Sequence, residues 1–139
     1  MQDFEPTIVA FVCNWCTYTA ADLAGTSRLT QRPNVRLIRL MCTGMVDPKY
    51  VIKALINGAD AVLVSGCEPG DCHYINGNYK ARRRIKLLKE LLANFGIDSR
   101  RVRLTWIGAS AGNEFAATVN NLVQEVRELG PCLTQPLAV

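Results

Sequence analysis

The stretch Val64-Ser65-Gly66-Cys67-Glu68-Pro69-Gly70-Asp71-Cys72-His73 reads as a buried strand running directly into a turn that carries two thiols. The apolar run from Ala61 to Val64 ends in small residues, and Pro69-Gly70 bends the backbone so that Cys67 and Cys72 can face one point. Two further segments, Phe11-Val12-Cys13-Asn14-Trp15-Cys16 and Leu40-Met41-Cys42-Thr43-Gly44, repeat the pattern of an apolar strand with cysteine at its carboxyl end. Five of the six cysteines therefore fall where strands become loops.

Upstream, Thr7 to Val12 is a continuous β-prone run, the mark of a strand buried on both faces of a parallel sheet. A helix follows, capped by Thr17 or Thr19 and running to about Ser27. Val35 to Leu40 alternates arginine with apolar residues, which suits a less covered edge strand. Asp47-Pro48 reads as an N-cap followed by proline at the first helical position, with Gly58 as a stop. The longest helix spans about Asn78 to Phe95, on the stripe Ile85, Leu88, Leu91, Leu92 and Phe95, and stops at Gly96. Val102 to Ile107 is a fourth strand, Gly108 to Asn113 a turn of small residues, and Glu114 to Leu129 a last helix ended by Gly130-Pro131.

This alternation predicts a single α/β domain over residues 1–130, with a tail over 131–139 lying along a surface or a partner. The two fully apolar strands, first and third, belong at the centre. Right-handed crossovers then give a four-stranded parallel sheet with flanking helices, in the flavodoxin-like order 2-1-3-4. Ligands of such sheets sit outside the carboxyl ends of the strands, where successive connections leave in opposite directions. Here that crevice lies between strands one and three, rimmed by the Cys13-Cys16 and Cys67-Cys72 turns, with Cys42 arriving from strand two and the Gly108 to Asn113 loop on the far side.

With 139 residues, about half of them apolar, the chain can bury one sizeable core. No apolar run approaches the ~20 residues of a membrane helix, and the first residues lack the basic and apolar regions of a signal peptide, so a soluble cytoplasmic protein with no membrane contact is expected. In a reducing compartment six cysteines point to metal or redox chemistry rather than structural disulfides. The net charge of +4, concentrated in Arg82-Arg83-Arg84 with Lys86 and Lys89 and in Arg100-Arg101 with Arg103, favours acidic partners only weakly. No aromatic interleaving accompanies it, which speaks against nucleic acid.

Three chemistries can use the thiols. An iron-sulfur cluster takes four thiolates, and Cys13-x2-Cys16 with Cys67-x4-Cys72 supplies two pairs, leaving one of Cys13, Cys16 and Cys42 as a spare fifth. A thiol-disulfide oxidoreductase would use Cys13 and Cys16, placed between strand and helix as in thioredoxin-type pairs. Zinc also takes four thiolates, but its structural sites belong to small, core-poor domains. These rank in that order. Cys42 alone could be a small core hydrophobe, and Cys132, beyond the helix-ending Gly-Pro, reads as incidental. His73, the only histidine, could tune a cluster but reads first as a loop residue, while Trp15 and Trp106 suit packing or a partner surface equally. Neither a G-x-x-x-x-G-K-[ST] nor a G-x-G-x-x-G pattern is present, so flavin binding rests on fold analogy only. No residue set for catalysis on a substrate stands out.

At the three cysteine segments, together with Asn76-Gly77-Asn78, Arg82-Arg83, Gly112 and Phe115, the sequence closely resembles the delta (D) subunit of methyl-viologen-reducing hydrogenase, from about Ile8 to Leu129. The resemblance implies a 2Fe-2S protein of methanogenic archaea, non-catalytic in itself, in a hetero-oligomeric complex. It implies electron transfer from a nickel-iron hydrogenase, or from formate dehydrogenase in some relatives, to the flavin-bearing subunit of heterodisulfide reductase, where electron bifurcation takes place. Its motif cysteines match Cys13, Cys16, Cys42, Cys67 and Cys72, four of which would ligate the cluster. Trp15 and Tyr74, beside those turns, are expected to meet the next subunit.

Overall fold

The computed structural model describes residues 4–133. Four parallel strands, β1 (Ile8–Cys13), β2 (Val35–Leu40), β3 (Ala61–Gly66) and β4 (Val102–Trp106), form one sheet in the order β2-β1-β3-β4. The flanking helices are α1 (Thr17–Thr26), α2 (Pro48–Ile56), α3 (Gly77–Asn94) and α4 (Gly112–Leu129). The predicted order and the central placing of the two apolar strands are both present.

Register fixes where the strand ends meet. Ile8 stands beside Val35 on one side and Ala61 on the other, and Cys13 beside Leu40, so three strands finish level and their following loops share one edge. Each face of the sheet carries its own core. Ala10, Val12, Leu63 and Ile107 pack with α1 and α4 through Ala20, Ala24, Phe115, Leu122 and Val126. Phe11, Val62, Val64 and Val102 pack on the other face with Val51 and Leu55 of α2 and Ile85, Leu88 and Leu92 of α3. Each fully buried aliphatic side chain contributes about 1.5–3 kcal/mol relative to exposure, and these two layers hold the strand ends in place.

Several local expectations shift. Asp47 caps α2 as predicted, accepting from the Lys49 amide at 2.9 Å. No threonine caps α1: Cys16 holds the cap position without a side-chain hydrogen bond, while Thr17 turns inward. Helix α4 starts at Gly112, two residues before the expected Glu114. A Cβ at Gly112 would lie 3.2 Å from the Ala24 amide, so this glycine serves close packing of α4 on α1 rather than a turn. At the far end of the sheet, Asp60 accepts amides from Thr7 and Cys132 at 2.9 and 3.2 Å. Arg101, read from sequence as part of a basic run, is buried there and donates to the carbonyls of Asp60, Leu129 and Pro131. Most of the expected tail, residues 134–139, lies outside the described residues.

Candidate metal centre

The sheet gathers five sulfurs at its carboxyl edge and leaves the sixth elsewhere. Cys13, Cys16 and Cys67 are buried with their Sγ atoms all within 4.8 Å of one another. Cys13 and Cys67 are 3.7 Å apart, because β1 and β3 are neighbours and both end there. Cys72, half-buried, packs against this trio and stands 3.7 Å from Cys42. Cys132 sits by Asp60 at the opposite end of β3, partly buried against the second core.

The loops that carry the thiols are built by specific contacts. Gly70 takes φ +92°, the left-handed conformation that closes the Cys67–Cys72 turn. Asn78 at the start of α3 is buried and donates from Nδ2 to the carbonyls of Cys67 and Glu68 at 3.0 and 2.9 Å, pinning the turn to the helix. Its Oδ1 is buried with no hydrogen-bond partner among the described residues. Gly77 lets α3 begin directly under two sulfurs, since a Cβ there would lie 2.1 Å from Cys42 Sγ and 3.3 Å from Cys72 Sγ. Ile75, 82% exposed, also holds a left-handed backbone at φ +74°, an unfavourable conformation for a β-branched residue.

Main-chain amides converge on the sulfurs. Those of Trp15 and Cys16 face Cys13, that of Gly44 faces Cys42 at 3.3 Å, that of His73 faces Cys67, and those of Tyr74, Gly77 and Asn78 face Cys72. A hydrogen bond from the Cys16 thiol is the chief cause holding Cys13 down to about 6. Cys16 is driven above the ordinary thiol range, first by that same bond and then by burial. Burial pushes Cys42 up to about 11 and also raises Cys67. For Cys72 burial acts upward, but the amides and the Cys42 thiol outweigh it and lower the group. A thiolate among amides is the form that binds metal.

Around the sulfurs the mouth is aromatic. The His73 ring stacks on Trp15 at 3.9 Å and 13°, with Tyr74 edge-on at 4.9 Å. A cleft of about 350 Å³ opens beside them, lined by Trp15, Cys16, Cys67, Glu68, Asp71, His73 and the Gly108-Ala109 loop expected to flank the site. Beneath Cys16 runs a hydroxyl chain, buried at Thr17 and Ser65 and half-buried at Thr105, that the sequence reading missed. Thr105 donates to Ser65 at 3.0 Å, Ser65 meets Thr17 at 3.1 Å, and Thr17 donates to the Ile107 carbonyl at 3.2 Å while lying 3.7 Å from Cys16 Sγ. Its only sequence signal is a hydroxyl at the end of each of two apolar strands.

Comparison with known proteins agrees with this geometry. Residues 8–130 match the family model for the methyl-viologen-reducing hydrogenase delta subunit. The chain is 51% identical over 130 residues to the iron-sulfur (D) subunit of the F420-non-reducing hydrogenase of Archaeoglobus profundus, covering 94% of this chain and 95% of that one. It is 46% identical over 131 residues to the iron-sulfur (D) subunit of the F420-non-reducing hydrogenase vhc of Methanococcus voltae, covering 94% and 91%. It is also 49% identical over 126 residues to part of the (A) subunit of the ferredoxin/F(420)H(2)-dependent CoB-CoM heterodisulfide reductase of Methanosarcina acetivorans, covering 91% of this chain and 16% of that one.

Proposed function

The chain belongs to the methyl-viologen-reducing hydrogenase delta subunit family, and from that premise we propose that it is an electron relay that holds a 2Fe-2S cluster on four of its five clustered thiols. In this reading it passes electrons from a nickel-iron hydrogenase, or from a formate dehydrogenase, to the flavin-bearing subunit of heterodisulfide reductase during methanogenesis, upstream of flavin-based bifurcation. The observation that carries it is the pair of 3.7 Å sulfur contacts at one sheet edge. Thiolates about 2.3 Å from a tetrahedral metal stand about 3.8 Å apart, so each pair suits one metal.

The donor set fits the group. Two thiolates for each of two irons is the division a four-cysteine 2Fe-2S centre requires. Cys13 with Cys67 and Cys42 with Cys72 supply it, leaving Cys16 as the fifth. A bound cluster would store and release one electron at a time. The chain's own amides at Trp15, Cys16, Gly44, His73, Tyr74, Gly77 and Asn78 offset the negative charge of the thiolates, and the number of such bonds sets how readily a reduced centre is tolerated. Trp15 and Tyr74, each nearly half exposed, give the mouth an apolar collar suited to a second subunit, which would exclude water from the transfer path. The likeness to a segment inside the (A) subunit of a heterodisulfide reductase supports contact with that enzyme.

A second reading has an observation of its own. Cys13 lowered to about 6 beside a raised Cys16 is the asymmetry of a dithiol redox pair. Against it, both thiols are buried, at 2% and 5% exposure, which restricts their approach to a bulky disulfide substrate. Iron and acid-labile sulfide analysis of anaerobically purified protein, with reduced-state EPR, separates the two. Two irons and two sulfides per chain support the relay, and Cys67→Ser or Cys72→Ser should then abolish both signals. Iron-free protein with one titratable dithiol would overturn it in favour of the oxidoreductase.

A further inference from the structure

Among the described residues the sheet has two open edges, and they are unlike. Strand β4 has no fully exposed residue, whereas β2 is exposed at Arg36, Leu37, Ile38 and Arg39 in succession. The carbonyls of Asn34 and Leu40 accept from the amides of Ile8 and Asn14 at 3.0 and 2.7 Å. With a period of two, the main-chain groups of Val35, Leu37 and Arg39 therefore point away from the sheet. Val35 packs in the core shared with α1 and α4, and Leu40 in the core shared with α2 and α3. Leu37 and Arg39 thus stand on the first face, where the Arg39 guanidinium lies 5.1 Å from the Tyr18 ring, and Arg36 and Ile38 stand on the second. Each face offers one aliphatic side chain, 41% exposed at Leu37 and 42% at Ile38, beside one arginine.

An unpaired strand edge is a template for another strand, and β2 offers an aliphatic side chain and an arginine on each face for such a strand to meet. We propose that the β2 edge is a docking edge that accepts a β-strand of another protein, with carboxylates meeting Arg36 and Arg39 and aliphatic side chains meeting Leu37 and Ile38. Charge selects the occupant. Two copies of this chain paired through β2 would bring four guanidinium groups together with no carboxylate on either strand, and like charges across strands are destabilising. An acidic, alternating strand satisfies both faces and the free main-chain groups together. The edge also leads to the thiols: Met41, the next residue, is 43% exposed, and its carbonyl lies 3.7 Å from Cys13 Sγ. A strand laid along β2 therefore brings its own chain to the sulfur mouth. The inference stands whether or not the thiols hold a cluster.

Amide hydrogen exchange on the full-length chain, alone and in the assembly purified with its native partners, tests it. The amides of Val35, Leu37 and Arg39 should exchange freely in the isolated chain and slow by about tenfold or more in the assembly, as ladder hydrogen bonds require. The double variant Arg36→Asp/Arg39→Asp should lower affinity for the partner by about tenfold or more, with iron content unchanged. Charge reversal on α3, Arg82→Asp/Arg83→Asp, serves as the comparison and should leave the β2 amides protected in the assembly. Should the aspartate variant misfold, Arg36→Gln/Arg39→Gln should still weaken assembly. Equal exchange of the three amides in both states would overturn the proposal, as would an assembly unaffected by the arginine variants. Protection already present in an isolated homodimer would assign the edge to a second copy instead.

Discussion

Cys13, Cys16 and Cys67 follow the two central strands, and Cys42 and Cys72 lie on the rim, yet all five belong to similar strand-to-loop segments. The trio is buried under α1 and the Gly108-Ala109 loop, with sulfurs facing one another, while Cys72 is half-exposed and the rim pair meets across the start of α3. Distance along the loop and what folds over each thiol make the difference: Cys67 and Cys72 share the connection after β3, and Cys42, beyond the edge strand, is buried at 7% exposure. A cysteine at the end of a central strand inherits two neighbouring strands that shield it, whereas Cys42 is covered by the start of α3 and Cys72, further along its loop, is covered only in part.

Removal of one sulfur from each group should have the largest effect. If one thiol pair serves each iron, Cys42→Ser should lower bound iron from two per chain to near zero, although Cys42 belongs to the rim. Cys16→Ser, in the buried trio, should retain both irons, and Cys132→Ser should behave as wild type. Metal analysis of the three variants reads this directly. Iron kept by Cys42→Ser and lost by Cys16→Ser would mean that the trio with Cys72 is the ligand set, and the two-pair division would fall.

Iron-free protein should show the same contrast in its pH response. Alkylation of Cys13, mapped by mass spectrometry, should rise with a midpoint near 6, and that of Cys42 near 11. The stability consequence has opposite signs. An unfolded thiol titrates near 9, so the lowered Cys13 adds stability that is fully present above 9 and is lost as pH falls through about 6. The raised Cys42 adds stability that is present below 9 and is lost as pH rises through about 11. Coincident alkylation midpoints would erase the distinction between trio and rim.

Gly77 separates the groups by packing. Its substitution by alanine forces Cβ against Cys42 Sγ at 2.1 Å, and overpacking of this kind should cost about 3 kcal/mol in chemical denaturation of iron-free protein. Gly25→Ala, with nothing within 4 Å, should leave stability unchanged or raise it slightly. Unchanged stability and iron content in Gly77→Ala would mean that α3 does not press on the rim pair.

Most of this arrangement was legible in the chain. The apolar runs Ile8–Cys13 and Ala61–Gly66 announce central strands because only strands covered on both faces tolerate such continuity, and centrality gives the strand order. Cysteine at the strand ends then gives the convergence. Illegible were the polar residues whose burial depends on distant segments. Arg101 looks like its exposed neighbour Arg100 until the carbonyls of Asp60, Leu129 and Pro131 surround it. Asn78 looks like a helix-start residue until the Cys67 turn folds onto it. Thr17 reads as a cap because capping is a local rule, and its partners Ser65 and Ile107 are 48 and 90 residues away.

That hydroxyl chain supplies the smallest and most selective test, because it underlies the trio and not the rim. Ser65→Ala leaves the buried Thr17 and the half-buried Thr105 hydroxyls short of a partner and should cost about 1–2 kcal/mol, as unsatisfied groups out of water do. Removing all three hydroxyls, in Thr17→Val/Ser65→Ala/Thr105→Val, should recover much of that loss, since no polar group is then left unpaired. If the chain supports the trio, Ser65→Ala in iron-free protein should also speed alkylation of Cys16 relative to Cys42. Equal acceleration at both thiols would instead indicate general loosening of the sheet edge. In that case the burial of the trio would owe nothing particular to the hydroxyls beneath it.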